Sequence, residues 1–287
     1  MIGVLVVDKP RGVTSSDVVV KVKKLLNEKK VGHMGTLDPL AEGVLPLGIG
    51  RATKLFDLYL KKTKEYVATF AFGSETDTLD LEGEVVATSD VIPTKEQLQG
   101  AIKQNFLGKI KQLPPKYSSK KISGKRACDI IRNGGEVELE PCEVEIYSFD
   151  ILDEVERGVF RFKISCSAGT YIRSLARDLA CAVGSVATMT KLVRTKCGPF
   201  LLENSVKFDK LSCDEISSHI IPLETVLAEN ERVDVSTEEL TKLRNGIKYA
   251  KFVGKCGLND VAVWSEGKVV GLGEIRPDGW LSVKTYF

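Results

Sequence analysis

The chain has 287 residues, 43% of them hydrophobic, and 41 basic against 39 acidic side chains give a net charge of +2. That length suits one large domain with a smaller companion, and the apolar fraction is enough for a packed core. A disordered chain, a collagen-like fibre and a uniformly basic nucleic-acid coat are excluded.

Residues 3–7 are an apolar run ended by Asp8-Lys9-Pro10-Arg11-Gly12, which reads as a buried strand stopped by a turn. Ser15 or Ser16 is placed to cap a helix with Val18, Val19, Val22, Leu25 and Leu26 on its apolar face, ending near residues 27–30. Residues 32–54 hold five glycines and two prolines and fit neither the helix nor the strand period. They read as a long ordered loop, a feature usually tied to function. Strand alternation resumes over residues 65–73, where Tyr66, Ala68, Phe70 and Phe72 share a face, and residues 84–87 are placed to pair back. A helix is predicted over 94–107, strands over 143–152 and 158–166, a helix over 170–183, a strand over 192–200 and a helix around 208–219. From Val233 the texture changes: a short helix over Thr237–Arg244 ends at Asn245-Gly246, and short strands with tight turns follow. The division predicted is a main domain over 1–230 and a small β-rich barrel over 233–287.

Seven cysteines, odd in number, widely spaced and without a CxxC pair, indicate neither a zinc module nor a disulfide framework. Free thiols suit a reducing compartment. The opening MIGVLVVDKP is too short for a signal h-region, and no run approaches the roughly 18–20 apolar residues of a membrane span. A soluble, cytoplasmic protein is expected.

The charge is uneven. Residues 101–135 carry nine basic side chains, among them Lys120, Lys121 and Lys125, against Asp129 alone. Interleaved with Ser, Tyr and Gly, this segment suits either a solvated face or an exposed arm that neutralises phosphates.

Several side chains are candidates for chemistry. Asp38 sits between Gly35 and Pro39, and reads as a turn or cap residue or as a carboxylate turned into a cleft. His33 is one of two histidines, and a lone histidine is structural as readily as functional. Asp77 and Asp80 could form a hydrolytic acid pair, but Ser, Thr and Asp in such a connection more simply turn the chain. Thr170 is placed to cap the helix predicted over 170–183, and Arg173 falls in its first turn, off its apolar stripe. The arginine opposes the macrodipole there, so a carboxylate partner elsewhere is the alternative to an ordinary surface arginine.

Taken together the motifs resemble the TruB-type tRNA pseudouridine-55 synthases along nearly the whole chain. The resemblance is carried by Asp8-Lys9-Pro10-x-Gly12, by Gly32-His33-x-Gly35-Thr36-Leu37-Asp38-Pro39-x-Ala41-x-Gly43-x-Leu45-Pro46, and by Lys64-x-Tyr66. It continues through Thr76-Asp77-Thr78-x-Asp80, Pro114-Pro115-x-Tyr117-Ser118, Gly169-Thr170-Tyr171-Ile172-Arg173 and Leu192-x-Arg194-Thr195. It implies an α+β fold: a catalytic domain on a central mixed, mostly antiparallel sheet, a basic thumb inserted at about 104–141, and a C-terminal PUA-like barrel. It implies that Asp38 attacks a flipped-out uridine covalently, with Tyr66 stacking on the base and handling the C5 proton, and Arg173 pairing with Asp38. His33 would fill the vacated space, Lys9, Tyr171 and Leu192 would line or support the pocket, and Lys120, Lys121 and Lys125 would grip RNA from the thumb. No cofactor and no metal are implied. The partner implied is the T-arm stem-loop of tRNA, with no membrane, no obligatory protein partner or guide RNA, and a monomer expected. Where Cys128 and Ile131 stand the family usually shows a Tyr and a small residue, a departure that touches thumb packing alone.

Three other readings compete. A non-catalytic RNA-binding or tRNA-folding protein on the same scaffold would not need Asp38, Tyr66 and Arg173 together. A glycoside or nucleoside hydrolase working through Asp77 and Asp80 has no use for a basic arm. The guide-RNA-dependent relative usually carries a different C-terminal extension.

Overall fold

A computed structural model of the chain describes residues 1–118, 120–122, 124–247, 252 and 255–287, and of residues 121, 122, 125, 126, 128 and 132 it describes the backbone alone. The side chains of Lys121 and Lys125 therefore lie outside the described residues.

The chain opens with strand β1 (Gly3–Lys9), helix α1 (Ser15–Leu26), β2 (Val31–His33) and β3 (Glu42–Ile49). Helix α2 (Phe56–Leu60), β4 (Lys64–Phe72), the pair β5 (Ser74–Thr76) and β6 (Val85–Thr88), helix α3 (Lys95–Asn105) and β7 (Gly108–Gln112) follow. Next come β8 (Lys121–Ile122), β9 (Lys125–Arg126) and α4 (Ala127–Arg132), then β10 (Cys142–Glu156), β11 (Val159–Cys166), α5 (Ile172–Ala182) and β12 (Ala187–Cys197). Short β13 (Phe200–Leu201) and β14 (Val206–Lys207) lead into α6 (Cys213–His219) and α7 (Leu223–Val226). The chain closes with β15 (Arg232–Asp234), α8 (Thr237–Arg244), β16 (Leu258–Ser265), β17 (Lys268–Ile275) and β18 (Leu281–Tyr286).

The main sheet runs β14-β1-β3-β12-β4-β11-β10-β7, with β2 beside β3 and β13 beside β12. Only the β1–β14 and β3–β12 pairs are parallel, so the sheet is mixed and mostly antiparallel. In β4 the predicted alternation is realised, with Tyr66, Ala68, Phe70 and Phe72 buried and the residues between them half-buried. Phe70, Phe149, Phe160 and Phe162 then build an edge-on and tilted aromatic cluster beneath α3 and α5. β7 and β10 pair directly, so residues 113–141, which include β8, β9 and α4, form an excursion from the sheet.

The expected long loop over 32–54 is mostly not a loop. Its second half is β3, a strand buried on both faces from Gly43 to Ile49, and a strand without a solvent face has no period of two. The irregular part shrinks to residues 34–41. Two capping expectations also change. Thr14, not Ser15 or Ser16, caps α1, because Asp17 three residues later returns the bond to the Thr14 amide and closes a capping box. Thr170 does not cap α5; its hydroxyl bonds the Ser167 carbonyl, and Tyr171 is the N-cap.

In the C-terminal part, the described residues form one four-stranded sheet in the order β15-β16-β17-β18, with α8 against it through Leu240 and Leu243. Ala262, Val269 and Leu272 of this sheet join Val4, Val44, Leu58, Tyr59 and Val226 in a shared apolar cluster. Within that cluster the Tyr59 hydroxyl donates to the Val226 carbonyl of α7, 2.7 Å.

Candidate active site

The site grows from residues 34–41. One edge of β3 pairs with β2 near its end and with β12 near its start. The loop crosses where one neighbour gives way to the other. Its carbonyls are tied down almost one by one. Arg194, 1% exposed, donates to Gly35 O (3.1 Å), Thr36 O (3.3 Å) and Val44 O (2.7 Å). Ser15 Oγ both donates to Leu37 O and accepts from the Leu37 amide, so the hydroxyl that does not cap α1 holds this loop instead. Pro39 O accepts from the Gly12 amide (2.8 Å) and from Lys9 Nζ (3.3 Å). A loop held by its backbone at four of the five positions from Gly35 to Pro39 presents the side chain between them, Asp38, in a fixed place.

Asp38 Oδ2 meets Arg173 Nη2 at 2.9 Å. Arg173 also holds Asp80 Oδ2 through Nη1 (3.2 Å) and donates to Thr78 O (2.9 Å) and Tyr117 O (3.0 Å). Its guanidinium is buried, and the carboxylates on either side of it balance its position in the first turn of α5. Asp80 keeps the turn role read from sequence, accepting from Thr78 Oγ1 and from the Glu82 amide, and adds the ion pair. Asp77 does not join it: its Oδ1 accepts from the Glu84 amide. The two acids therefore do not face each other as a hydrolytic pair.

Asp38 and Arg173 stand on the wall between two cavities. The inner one, about 200 Å³, is lined by Asp38, Tyr66, Tyr171, Arg173, Leu192 and Arg194, among others. The outer one, about 990 Å³, takes in His33, Phe56, Asp77, Tyr117 and Ser118 beside the same pair. The Asp38 side chain is 39% exposed, so this acid borders a cleft and is not sealed in.

The other sequence-derived candidates fall into three groups. Tyr66, Tyr171 and Leu192 line the inner cavity with Asp38. Burial pushes the Tyr66 hydroxyl up to about 12 and raises that of Tyr171. His33 lies on the outer cavity, its pKa lowered by burial and then by Arg194. Lys9 is in neither cavity. It is fully buried, with Nζ on the carbonyls of Pro10, Val13 and Pro39, and burial lowers its ammonium to about 8. It braces the Asp38 loop from behind, through Pro39 O. Lys120 lines neither cavity and is bonded to Glu140 O and Cys142 Sγ.

Two residues escaped the sequence reading. Asp80 was visible as a turn residue or as half of a hydrolytic pair with Asp77, not as a partner of Arg173. Arg194 carried a usable signal: it sits two places from Leu192, so strand alternation puts a charge on a buried face, which demands a polar reason. Among the described residues no cluster could hold a metal ion, and no helix is long and apolar enough to cross a membrane.

Two family models match the chain. The TruB family pseudouridylate synthase N-terminal domain covers residues 23–172, and the tRNA pseudouridylate synthase B C-terminal domain covers residues 173–228. This chain belongs to the TruB family of pseudouridylate synthases. The family boundary falls inside the site: Asp38 and Tyr66 lie in the first match, and Arg173, Leu192 and Arg194 in the second. The tRNA pseudouridine synthase B of Clostridium tetani is 41% identical over 287 residues, 99% of each chain. That of Halalkalibacterium halodurans is 43% identical over 255 residues, 86% of this chain and 84% of its own. Among solved structures, a chain of a Cbf5-Nop10-Gar1 complex superposes with a TM-score of 0.73 at 26% identity, covering 99% of this chain and 84% of that one. A structure of an H/ACA RNP bound to a substrate RNA containing 2'-deoxyuridine gives the same values. The fold is the pseudouridine synthase fold, with a mixed central sheet and flanking helices.

Proposed function

We propose that this TruB-family pseudouridine synthase converts uridine 55 in the T-loop of tRNA to pseudouridine, acting without a protein partner or guide RNA. The observation that carries the reading is Asp38, paired with Arg173 at 2.9 Å and bordering a cavity that Tyr66 also lines. The guanidinium holds the carboxylate at the edge of the cavity, where one of its oxygens can act as a nucleophile. The target uridine is flipped out of the folded loop, and its base enters the inner cavity. An Asp38 oxygen bonds to the nucleotide, the bond from C1′ to N1 breaks, the base turns and rejoins the sugar through C5, and the bond to Asp38 is cleaved to restore the free carboxylate. N1 gains a proton and C5 loses one, so the change is an isomerisation with no net reagent. Tyr66 is protonated at neutral pH, as any tyrosine is, and offers a neutral ring to stack on the base. Leu192 and Tyr171 enclose the base while it is detached, and His33 occupies the space it leaves.

We assign residues 1–230 to the catalytic domain. Within it residues of about 104–141 are the RNA-gripping thumb, and the excursion between β7 and β10 carries six of the nine basic residues found over 101–135. Residues 233–287 are assigned as a PUA-like RNA-binding module.

The direct test is incubation of the purified protein with an unmodified T-arm stem-loop, followed by chemical mapping of pseudouridine. Conversion at the T-loop uridine is expected, and Asp38→Asn should abolish it while RNA binding persists. A variant that still turns over near the wild-type rate would remove Asp38 as nucleophile.

A further inference from the structure

We propose that the outer cavity contains a second nucleotide site, a ledge made by Phe56, Leu60, Lys61 and Lys62 that receives the nucleotide next to the flipped uridine. The inference rests on the function proposed above and names a further part of the RNA that the site engages.

Phe56 and Leu60 are four residues apart on α2 and so share one face of it. Leu58 and Tyr59 of the same helix are buried in the shared apolar cluster, yet Phe56 is 38% and Leu60 39% exposed. Both border the outer cavity, and Leu60 borders the inner one as well. An exposed ring at the mouth of a pocket for an extruded base is a stacking face. Extruding one nucleotide also strips its neighbours of their own stacking, which a ring at this place restores.

The charges around the ledge are arranged to fit. Lys64 turns inward and satisfies the carbonyls of Tyr59, Leu60 and Lys62 at the end of α2. Lys61 and Lys62 are left exposed, with no ion pair among the described residues. Gly198 backs Lys62 closely, since a Cβ there would lie 3.1 Å from the Lys62 Cβ. Elsewhere the cavity wall carries Asp77, Glu82 and Glu84. Backbone phosphates are repelled from that wall and drawn to the lysine rim, which leaves the base to meet Phe56. On the same cavity His33 keeps a buried Nδ1 with no hydrogen-bond partner among the described residues, a group suited to a base edge or a ribose hydroxyl.

The test measures binding of a fluorescent T-arm stem-loop and its turnover side by side. Phe56→Ala should weaken binding on the order of 10-fold, whereas Phe56→Trp should hold it near wild type. Lys61→Gln with Lys62→Gln should flatten the salt dependence by about 1.4 in the logarithmic slope, roughly 0.7 for each single-strand phosphate. The deciding arm is a cycle with stem-loops abasic at the nucleotide 5′ or 3′ of the target. In one of the two the penalty of Phe56→Ala should vanish. An alanine variant that binds as wild type, or a penalty of unchanged size in both abasic RNAs, overturns the ledge. Wild-type protein that binds the stem-loop yet forms no pseudouridine strikes the proposed function instead, because the binding cycle reads the ledge without turnover.

Discussion

Arg173→Lys asks whether the site depends on one planar cation that reaches two carboxylates at once. In the wild type Nη2 serves Asp38 and Tyr117 O while Nη1 serves Asp80 and Thr78 O, all between 2.9 and 3.2 Å. A lysine ammonium is a point donor and cannot occupy both positions. At least one charge-assisted hydrogen bond is lost, about 1.5–3 kcal/mol, and the partial exposure of Asp38 sets its share near the lower end. At about 1.4 kcal/mol per decade, the single-turnover rate on a T-arm stem-loop should fall by roughly 10-fold or more, with affinity near wild type. Arg173→Met removes the charge entirely and strands Asp80, whose side chain is 4% exposed. That should cost about 3–5 kcal/mol of stability. Thermal melting should register it at about 2–4 °C per kcal/mol. A Lys variant with the wild-type rate, or a Met variant with an unmoved midpoint, would refute the bridging role.

Reversing charge at Lys120, Lys121 and Lys125 should weaken tRNA binding and flatten its salt dependence, and an unchanged salt titration would remove the thumb assignment. Lys9 gives a pH signature. Its ammonium sits at about 8 in the fold against an ordinary 10.5, so both states are protonated below pH 8 and the folded chain sheds its proton first above it. Stability relative to Lys9→Met should therefore rise between pH 8 and 10.5, and a pH-independent difference in melting midpoint would contradict the burial argument. Gly43→Ala should destabilise by roughly 3 kcal/mol or more, since φ is +100° and a Cβ would meet Arg194 O at 2.3 Å. An alanine variant with a native midpoint would show that the two strands can part there.

How far the sequence spoke depended on whether an element had a wet side. β4 could be read because half of it is less buried, which leaves the alternation of Tyr66, Ala68, Phe70 and Phe72 intact. β3 could not, because both of its faces are covered and its glycines pack against other backbone. Helix α8 and its Asn245-Gly246 stop were visible because caps are local. At the site, the Arg173 argument reached the type of partner from helix electrostatics alone. That there are two carboxylates, and that the second also ties a turn, depends on a contact between residues 93 positions apart, beyond any local pattern. The resemblance supplied Lys9 as a neighbour of the pocket; that it works from behind, on Pro39 O, is a matter of tertiary packing.

The apolar cluster joining Leu58, Tyr59, Ala262, Val269 and Leu272 sets a rule for protein engineering. A graft that exchanges the last 55 or so residues for those of another organism's enzyme must carry over the underside of its sheet as well as its strands. Otherwise the short helix bearing Phe56 and Leu60 loses its floor, and the chimera fails at the mouth of the pocket before RNA is ever offered to it.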